Sequence, residues 1–420
     1  MKTVMRLCSP INGIISRPKP SRWPITSPLH PCQHRHTSSL SSPSPPHTFP
    51  TTGYELLNHI PKLEEEPLPD YRAERFYPVH IEPTTTYLTL KLHGRSTQHT
   101  HLPEILISKH LKQTHRTKSE HSKHVGQKYT RLIHDSFEIQ GPHGIHPCIL
   151  YQPSGMDICD YIQCLEDNAL PEDLLRVTIR FMLIALDYLH SANVVHTDIQ
   201  PTNILLGIED TSILTDLEEE ELNEPAPRKH LSDDRTIYAT RGMPFTTGEP
   251  MLADLGEARL LLPIDTGTQT SGSIIMPGLY RAPEVMLNME WDEKVDIWAL
   301  GQTTWSLLQS THLFTNTPHL ITQDDHARRF AEMIVLLGHP PVEFLGRSEE
   351  SWRFWDRDGN WKSHVEIPGG SLDDRVTQLE GDSKRLFLRF LRKTLSWVPG
   401  ERPSARELLM EDEWVRGEDY

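Results

Sequence analysis

The stretch VVHTDIQPTNILL, residues 194 to 206, sets an aspartate, Asp198, and an asparagine, Asn203, five positions apart just after two valines and a histidine. Short polar side chains framed by apolar runs can be a turn between strands, and an aspartate among Thr, Pro and Asn is most often an ordinary cap or Asx-turn. Elsewhere the chain carries related chemistry: Lys91 in TYLTLKLHGR, Glu104 in PEILISKHLKQ, Asp254 in ADLGEAR, then YRAPE (280–284) and VDIWALG (295–301). Carboxylates, a carboxamide and a lysine together suit phosphoryl transfer, which needs charge neutralisation and in-line positioning more than covalent help. Its minimum is two metal-binding side chains, a lysine for the phosphates and a base for the attacking hydroxyl.

These residues need elements to hold them. TYLTLKLHGR (86–95) alternates Tyr87, Thr89 and Lys91 with Leu88, Leu90 and Leu92, the period of a strand. A helix carrying Glu104 is expected after Pro103, and YTRLIHDSFEI and HPCILYQPSG read as two strands joined by a turn at Gly141 and Pro142. In PEDLLRVTIRFMLIALDYLHSANVV the pattern changes. Leu175, Ile179, Met182, Leu186 and Leu189 recur at steps of three and four after Pro171, predicting a long buried helix that runs into the Asp198 loop. VDIWALGQTTWSLLQ, HARRFAEMIVLLG, SKRLFLRFLRKTL and SARELLMEDEW are helical by the same period. The expected class is α+β: a small β-rich lobe over about 51–151 with a leading extension, then a large α-helical lobe over 152–420, with an acidic insertion at about 207–250.

In that order the stations resemble the signature set of eukaryotic protein kinases. HTDIQPTN, with Thr197 where most kinases carry arginine, narrows the resemblance together with EPLPDYRAERFYPVHI, DSFEIQGPHGIHPCILYQPSGM and YRAPEVMLNMEWDEKVDIWALG. From about residue 66 to the end the chain is similar to the SR-protein kinase family of the CMGC group, in particular its fungal relatives. The resemblance implies a bilobal serine/threonine kinase that uses ATP and Mg2+ and acts on protein substrates, Arg/Ser-rich splicing factors among them. By it, Asp198 accepts the substrate hydroxyl's proton, Asn203 and Asp254 hold magnesium, and Lys91 grips the nucleotide phosphates, aligned by Glu104. Gln152 to Ser154 supply the adenine-facing backbone with Tyr151 behind them. Gln200 stands where a catalytic-loop lysine is usual and is grouped with the nucleotide contacts. Glu284 pairs with Arg402, and Asp296 braces the catalytic loop. Thr197 cannot make the bidentate cationic contact to a phosphate that an arginine makes, so activation by loop phosphorylation is not expected.

The chain also departs from the pattern. A glycine-rich loop between two strands should precede Lys91 and cover the phosphates with backbone amides. Between FYPVHI and TYLTLK stand only Glu82, Pro83, Thr84 and Thr85, where two strands and a turn need at least about 15 residues. Pro277 occupies the place of a threonine that links the substrate-facing loop to the catalytic aspartate. A truncated small lobe is therefore expected, and a pseudokinase scaffold is the rival function. Small-molecule phosphotransferases share the HxDxxxxN loop but lack YRAPE and VDIWALG. Asn203 and Asp254 are 51 positions apart, and the intervening TSILTDLEEEELNEPAP reads either as a surface that steers arginine-rich peptides or as a solvated acidic face.

Composition limits the partners. A net charge of −16 over 420 residues argues against direct nucleic-acid binding and fits a basic protein partner met by a monomer. Cys8, Cys32, Cys148, Cys159 and Cys164 form no CxxC pair and no even framework, which points to a reducing compartment, cytoplasmic or nuclear. The histidines between 93 and 146 lack a helical HxxxH-type pair, so no metal site is read there. No apolar run reaches the roughly 20 residues of a membrane span. Residues 1–50 hold no acidic residue and are crowded with Pro, Ser, Thr and His. That composition reads as disorder or as a mitochondrial targeting segment whose amphipathic helix the prolines would spoil.

Overall fold

The computed structural model describes residues 49–58, 62, 66, 87–95, 102–116, 124–232, 235–261, 275–314 and 322–417. The segment 1–50 lies outside them apart from its last two residues, and so does the stretch 81–86 ahead of the first strand.

The small lobe holds strands β1 (Thr89–Leu92), β2 (Asp135–Gly141) and β3 (Gly144–Tyr151) and helix α1 (Pro103–Arg116). The sheet is antiparallel in the order β1-β3-β2, and the β2–β3 hairpin closes with Gly141 opposite Gly144, at the turn read from the sequence. The strand expected from Tyr129 begins only at Asp135, because Val125–Tyr129 winds into a 3-10 helix. That helix lies so close to the large lobe that a Cβ on Gly126 would sit 2.2 Å from the Ile184 carbonyl oxygen. Among the described residues β1 pairs with β3 alone. In the described sheet it is the edge strand, and Leu90 within it and Leu88 just ahead of it stay 48% and 37% exposed.

The large lobe begins with α2 (Ile158–Gln163) and α3 (Glu172–His190). All five residues of the expected α3 stripe are buried, which is what the helical period requires of one face against a core. Next come β4 (Val194–Val195), β5 (Ile204–Leu205), α4 (Ser212–Asn223), β6 (Arg228–Ser232), β7 (Arg235–Tyr238), β8 (Met251–Leu252) and β9 (Arg259–Leu260). The pairs β4–β9 and β5–β8 clip the Asp198 loop to the Asp254 segment. Helices α5 (Pro283–Met286), α6 (Lys294–Gln309), α7 (Gln323–Leu337), α8 (Val342–Leu345), α9 (Leu372–Arg375), α10 (Gly381–Thr394), α11 (Ala405–Glu411) and α12 (Glu413–Arg416) complete it.

Helix α6 is buried almost all round, with α3 and α10 packed against it, and its apolar residues join one continuous core. The small lobe has a separate cluster of Ile133, Ile149 and Tyr151. Glu284 and Arg402 form the expected pair, bidentate at 2.6 and 2.8 Å and fully buried. No helix among the described residues is long and apolar enough to cross a membrane.

Candidate active site

The loop that bears Asp198 is held from behind. Asp296, in the first turn of α6 and fully buried, accepts the backbone N–H groups of His196 and Thr197, each at 2.8 Å, and lies 2.9 Å from His190 Nε2. A buried carboxylate needs such donors to offset its lost hydration. Thr197 adopts φ +63°, an uncommon conformation for a β-branched residue. Its hydroxyl donates to the Glu257 carbonyl at 2.7 Å. A neutral hydrogen bond thus joins the two loops at the position where arginine is usual.

Asp198 is restrained on both oxygens. Gln200 Nε2 donates to Oδ1 at 2.6 Å, and Asn203 Nδ2 donates to Oδ2 at 2.8 Å and to the Asp198 carbonyl at 2.7 Å. Asn203 ends a 3-10 helix begun by Pro201, whose missing N–H costs nothing there. Its carbonyl accepts from Ala253 N at 2.8 Å, which sets Asp254 beside it. Asp254 has φ +64°, and its Oδ1 accepts from Gly256 N at 3.2 Å.

Lys91 closes the constellation from the small lobe. Its Nζ lies 2.8 Å from Glu104 Oε2 and 3.0 Å from Asp254 Oδ1, so a single cation links β1, α1 and the Asp254 loop. The Tyr151 hydroxyl donates to Glu104 Oε1. Burial pushes that phenol far above its ordinary pKa and the Glu104 carboxylate adds to the shift, so Tyr151 keeps its proton as the donor. Arg131 was not marked by the sequence. Its guanidinium stands 4.5 Å from the Tyr151 ring centre. Burial lowers its pKa from the usual arginine range, while Tyr151, Glu104 and Asp254 pull it back up.

A cavity of about 340 Å³ opens between the lobes, lined by Lys91, Glu104, Asn203 and Asp254 together with Ser154 and Leu205. Its size falls within the usual range for a small-molecule site. Asp198 and Gln200 do not line it, and Gln200 spends its amide on Asp198. Gln152 is exposed and does not line it either: its side chain meets His134 and its carbonyl accepts from Arg131. The wall runs instead through Ser154, Gly155, Met156 and Asp157. Gly155 N donates to the Leu206 carbonyl at 2.8 Å and Leu206 N to the Met156 carbonyl at 2.9 Å, which fastens that stretch to the large lobe. Leu217, Arg241 and Met243 of the insertion line the same cavity. The length of the insertion was the one sequence signal that could have pointed to them.

Residues 148–415 match the family model described as a protein kinase domain. The chain belongs to the protein kinase family. A serine/threonine protein kinase of Aspergillus fumigatus is 37% identical over 409 residues, covering 89% of this chain and 96% of that protein. The serine/threonine-protein kinase SRPK of Physarum polycephalum is 28% identical over 297 residues, 66% of this chain and 68% of its own. The dual specificity protein kinase CLK2 of Mus musculus is 24% identical over 275 residues, 64% of this chain and 48% of its own. The kinase therefore has the expected bilobal α+β fold, and the family match starts at Cys148 in β3, so most of the small lobe lies ahead of it.

Proposed function

We propose that this kinase transfers the γ-phosphoryl group of ATP to serine hydroxyls of arginine- and serine-rich proteins. The observation that carries the reading is the double ion pair of Lys91, to Glu104 at 2.8 Å and Asp254 at 3.0 Å, on the cavity that Asn203 also lines. Kinases need this lysine–glutamate pair in place for transfer. The Asp254 carboxylate and the Asn203 carboxamide are hard oxygen donors on one cavity wall, a set that fits magnesium. These two would hold the ion, which supplies charge neutralisation at the phosphates.

Asp198, oriented by Gln200 and Asn203, takes the proton of the serine hydroxyl as its oxygen bonds to phosphorus and ADP leaves. Lys91 holds the phosphates in line. Thr197, bonded to the Glu257 carbonyl, keeps the two loops aligned without a phosphate on the activation segment. The substrate class is supported by the resemblance to SR-protein kinases and by the net charge of −16, which attracts a basic peptide.

The test is phosphate transfer from labelled ATP to an arginine–serine repeat peptide. Asp198→Ala should lower kcat by roughly 10²–10⁴ while Mg·ATP affinity changes by no more than a few-fold. An unchanged kcat would remove Asp198 from the role. A scaffold with little transfer is the second reading, and the sequence favours it, because only Glu82, Pro83, Thr84 and Thr85 stand between FYPVHI and TYLTLK, where a phosphate-covering loop is expected. A nucleotide binder gains about 2.7 kcal/mol at a hundredfold excess over Kd. The scaffold reading requires no melting shift with Mg·ATP.

A further inference from the structure

The insertion between β5 and β8 is a built structure. Helix α4 has no buried residue, so it is held by ties at its surface. Tyr87 Oη, ahead of β1, donates to Glu218 Oε2 at 2.6 Å. Arg241 Nε donates to Glu221 Oε2 at 3.0 Å, and its Nη2 donates to the Glu224 carbonyl at the end of the helix. An acidic run in the last half of a helix opposes the macrodipole, and a cation there offsets it.

The segment returning from β7 to β8, residues 239–250, is locked against the linker between the lobes. Thr246 is fully buried, its hydroxyl accepts from Met156 N at 3.2 Å, and a Cβ on Gly155 would lie 2.1 Å from that hydroxyl oxygen. On the outer side, Arg228 N donates to the Glu55 carbonyl at 2.9 Å, and Lys229, 2% exposed, pairs with Glu66 at 2.7 Å. Glu55 and Glu66, both ahead of the small lobe in sequence, therefore hold β6 of the β6–β7 hairpin.

The insertion is thereby fixed with Leu217, Arg241 and Met243 on the cavity that Lys91, Asn203 and Asp254 also line. We propose that this segment is the upper wall of the nucleotide site, with Leu217 and Met243 packing on the base and Arg241 acting as the positioning residue that holds them there. The proposal rests on the reading that this cleft takes Mg·ATP. The chemistry selects the base over the phosphates. Asp216, Glu219 and Glu220 on the same helix repel a triphosphate, whereas Leu217, Met243 and Leu205 offer apolar surface to a flat ring. Leu217 is partly exposed, so its replacement leaves the core intact.

Calorimetric titration of the full chain with Mg·ATP, adenosine and Mg·tripolyphosphate separates the contributions. Leu217→Gln combined with Met243→Gln should weaken ATP and adenosine by the same factor, roughly tenfold, and leave tripolyphosphate unchanged. Arg241→Gln should weaken adenosine severalfold, and Arg241→Lys should restore most of the loss. Asp254→Asn should show the opposite pattern, weakening tripolyphosphate and sparing adenosine. If the unaltered protein binds ATP and the Leu217 and Met243 variants bind ATP and adenosine equally well, the wall is wrong and the cleft assignment stands. Equal weakening of all three probes by those variants also overturns the wall, since it marks a general loosening. No binding of any probe by the unaltered protein overturns both readings.

Discussion

The two lobes treat their charged and apolar groups differently. In the large lobe Asp296, Glu284 and Arg402 are fully buried and each is bonded, and the apolar residues form one continuous cluster. In the small lobe three buried residues form the cluster, and β1 with the two residues ahead of it leaves Tyr87, Leu88 and Leu90 at 37–48% exposure. The contrast shows where each half of the site gets its rigidity. Asp198 and Asn203 are set by large-lobe packing and hydrogen bonds, whereas Lys91 is set by its own ion pairs, to Glu104 within the small lobe and to Asp254 across the cleft. The small lobe supplies a cation, and the large lobe supplies the scaffold and, through its insertion, part of the cover.

If this contrast holds, the largest stability effect lies in the large lobe. Arg402→Met leaves Glu284 charged and buried without its partner, and should cost about 3–5 kcal/mol in urea unfolding followed by tryptophan fluorescence. A loss below about 1 kcal/mol would show that the large lobe is more adaptable than its packing suggests. A smaller effect is expected from Ile149→Ala in β3. Ile149 is fully buried, but its cluster is small and can collapse, so a loss near the low end for such truncations, about 2 kcal/mol, is expected from the same measurement. A loss equal to that of Arg402→Met would erase the distinction between the lobes. The smallest is Leu90→Lys on the exposed edge: the unfolding free energy should stay within about 0.5 kcal/mol, while light scattering shows a higher threshold for aggregation because a lysine blocks edge-to-edge pairing.

Much of the site was legible because its signals are local. The α3 stripe shows in a period of three and four, and the Asp198 loop shows in eight consecutive residues that hydrogen-bond largely among themselves and to the next loop. Asp296 and the Glu284–Arg402 pair were equally legible through their motifs. The adenine-facing backbone was expected at Gln152 to Ser154, whereas the cavity wall after β3 runs from Ser154 to Asp157, since its placement depends on hydrogen bonds to Leu206 and not on the end of β3. Arg131 carried no signal, because its partners are Tyr151, Glu104 and Asp254, distant in the chain. The strand start at Tyr129 was misread for a similar reason: contact with α3 sets the 3-10 helix there, against the local β-like pattern.

The amino-acid order alone determined the helices of the large lobe and the hydrogen-bonded Asp198 loop, because each depends on neighbours within a turn or two of chain. Tertiary structure decided how the cleft is closed. Glu218 and Arg241 bond to Tyr87 and Glu221, and Thr246 bonds to Met156. Hydrogen bonds and close contacts between segments far apart in sequence leave no periodic trace, so a run that reads as a peptide-steering or solvated acidic face brings Leu217 to the cavity only when the chain is folded.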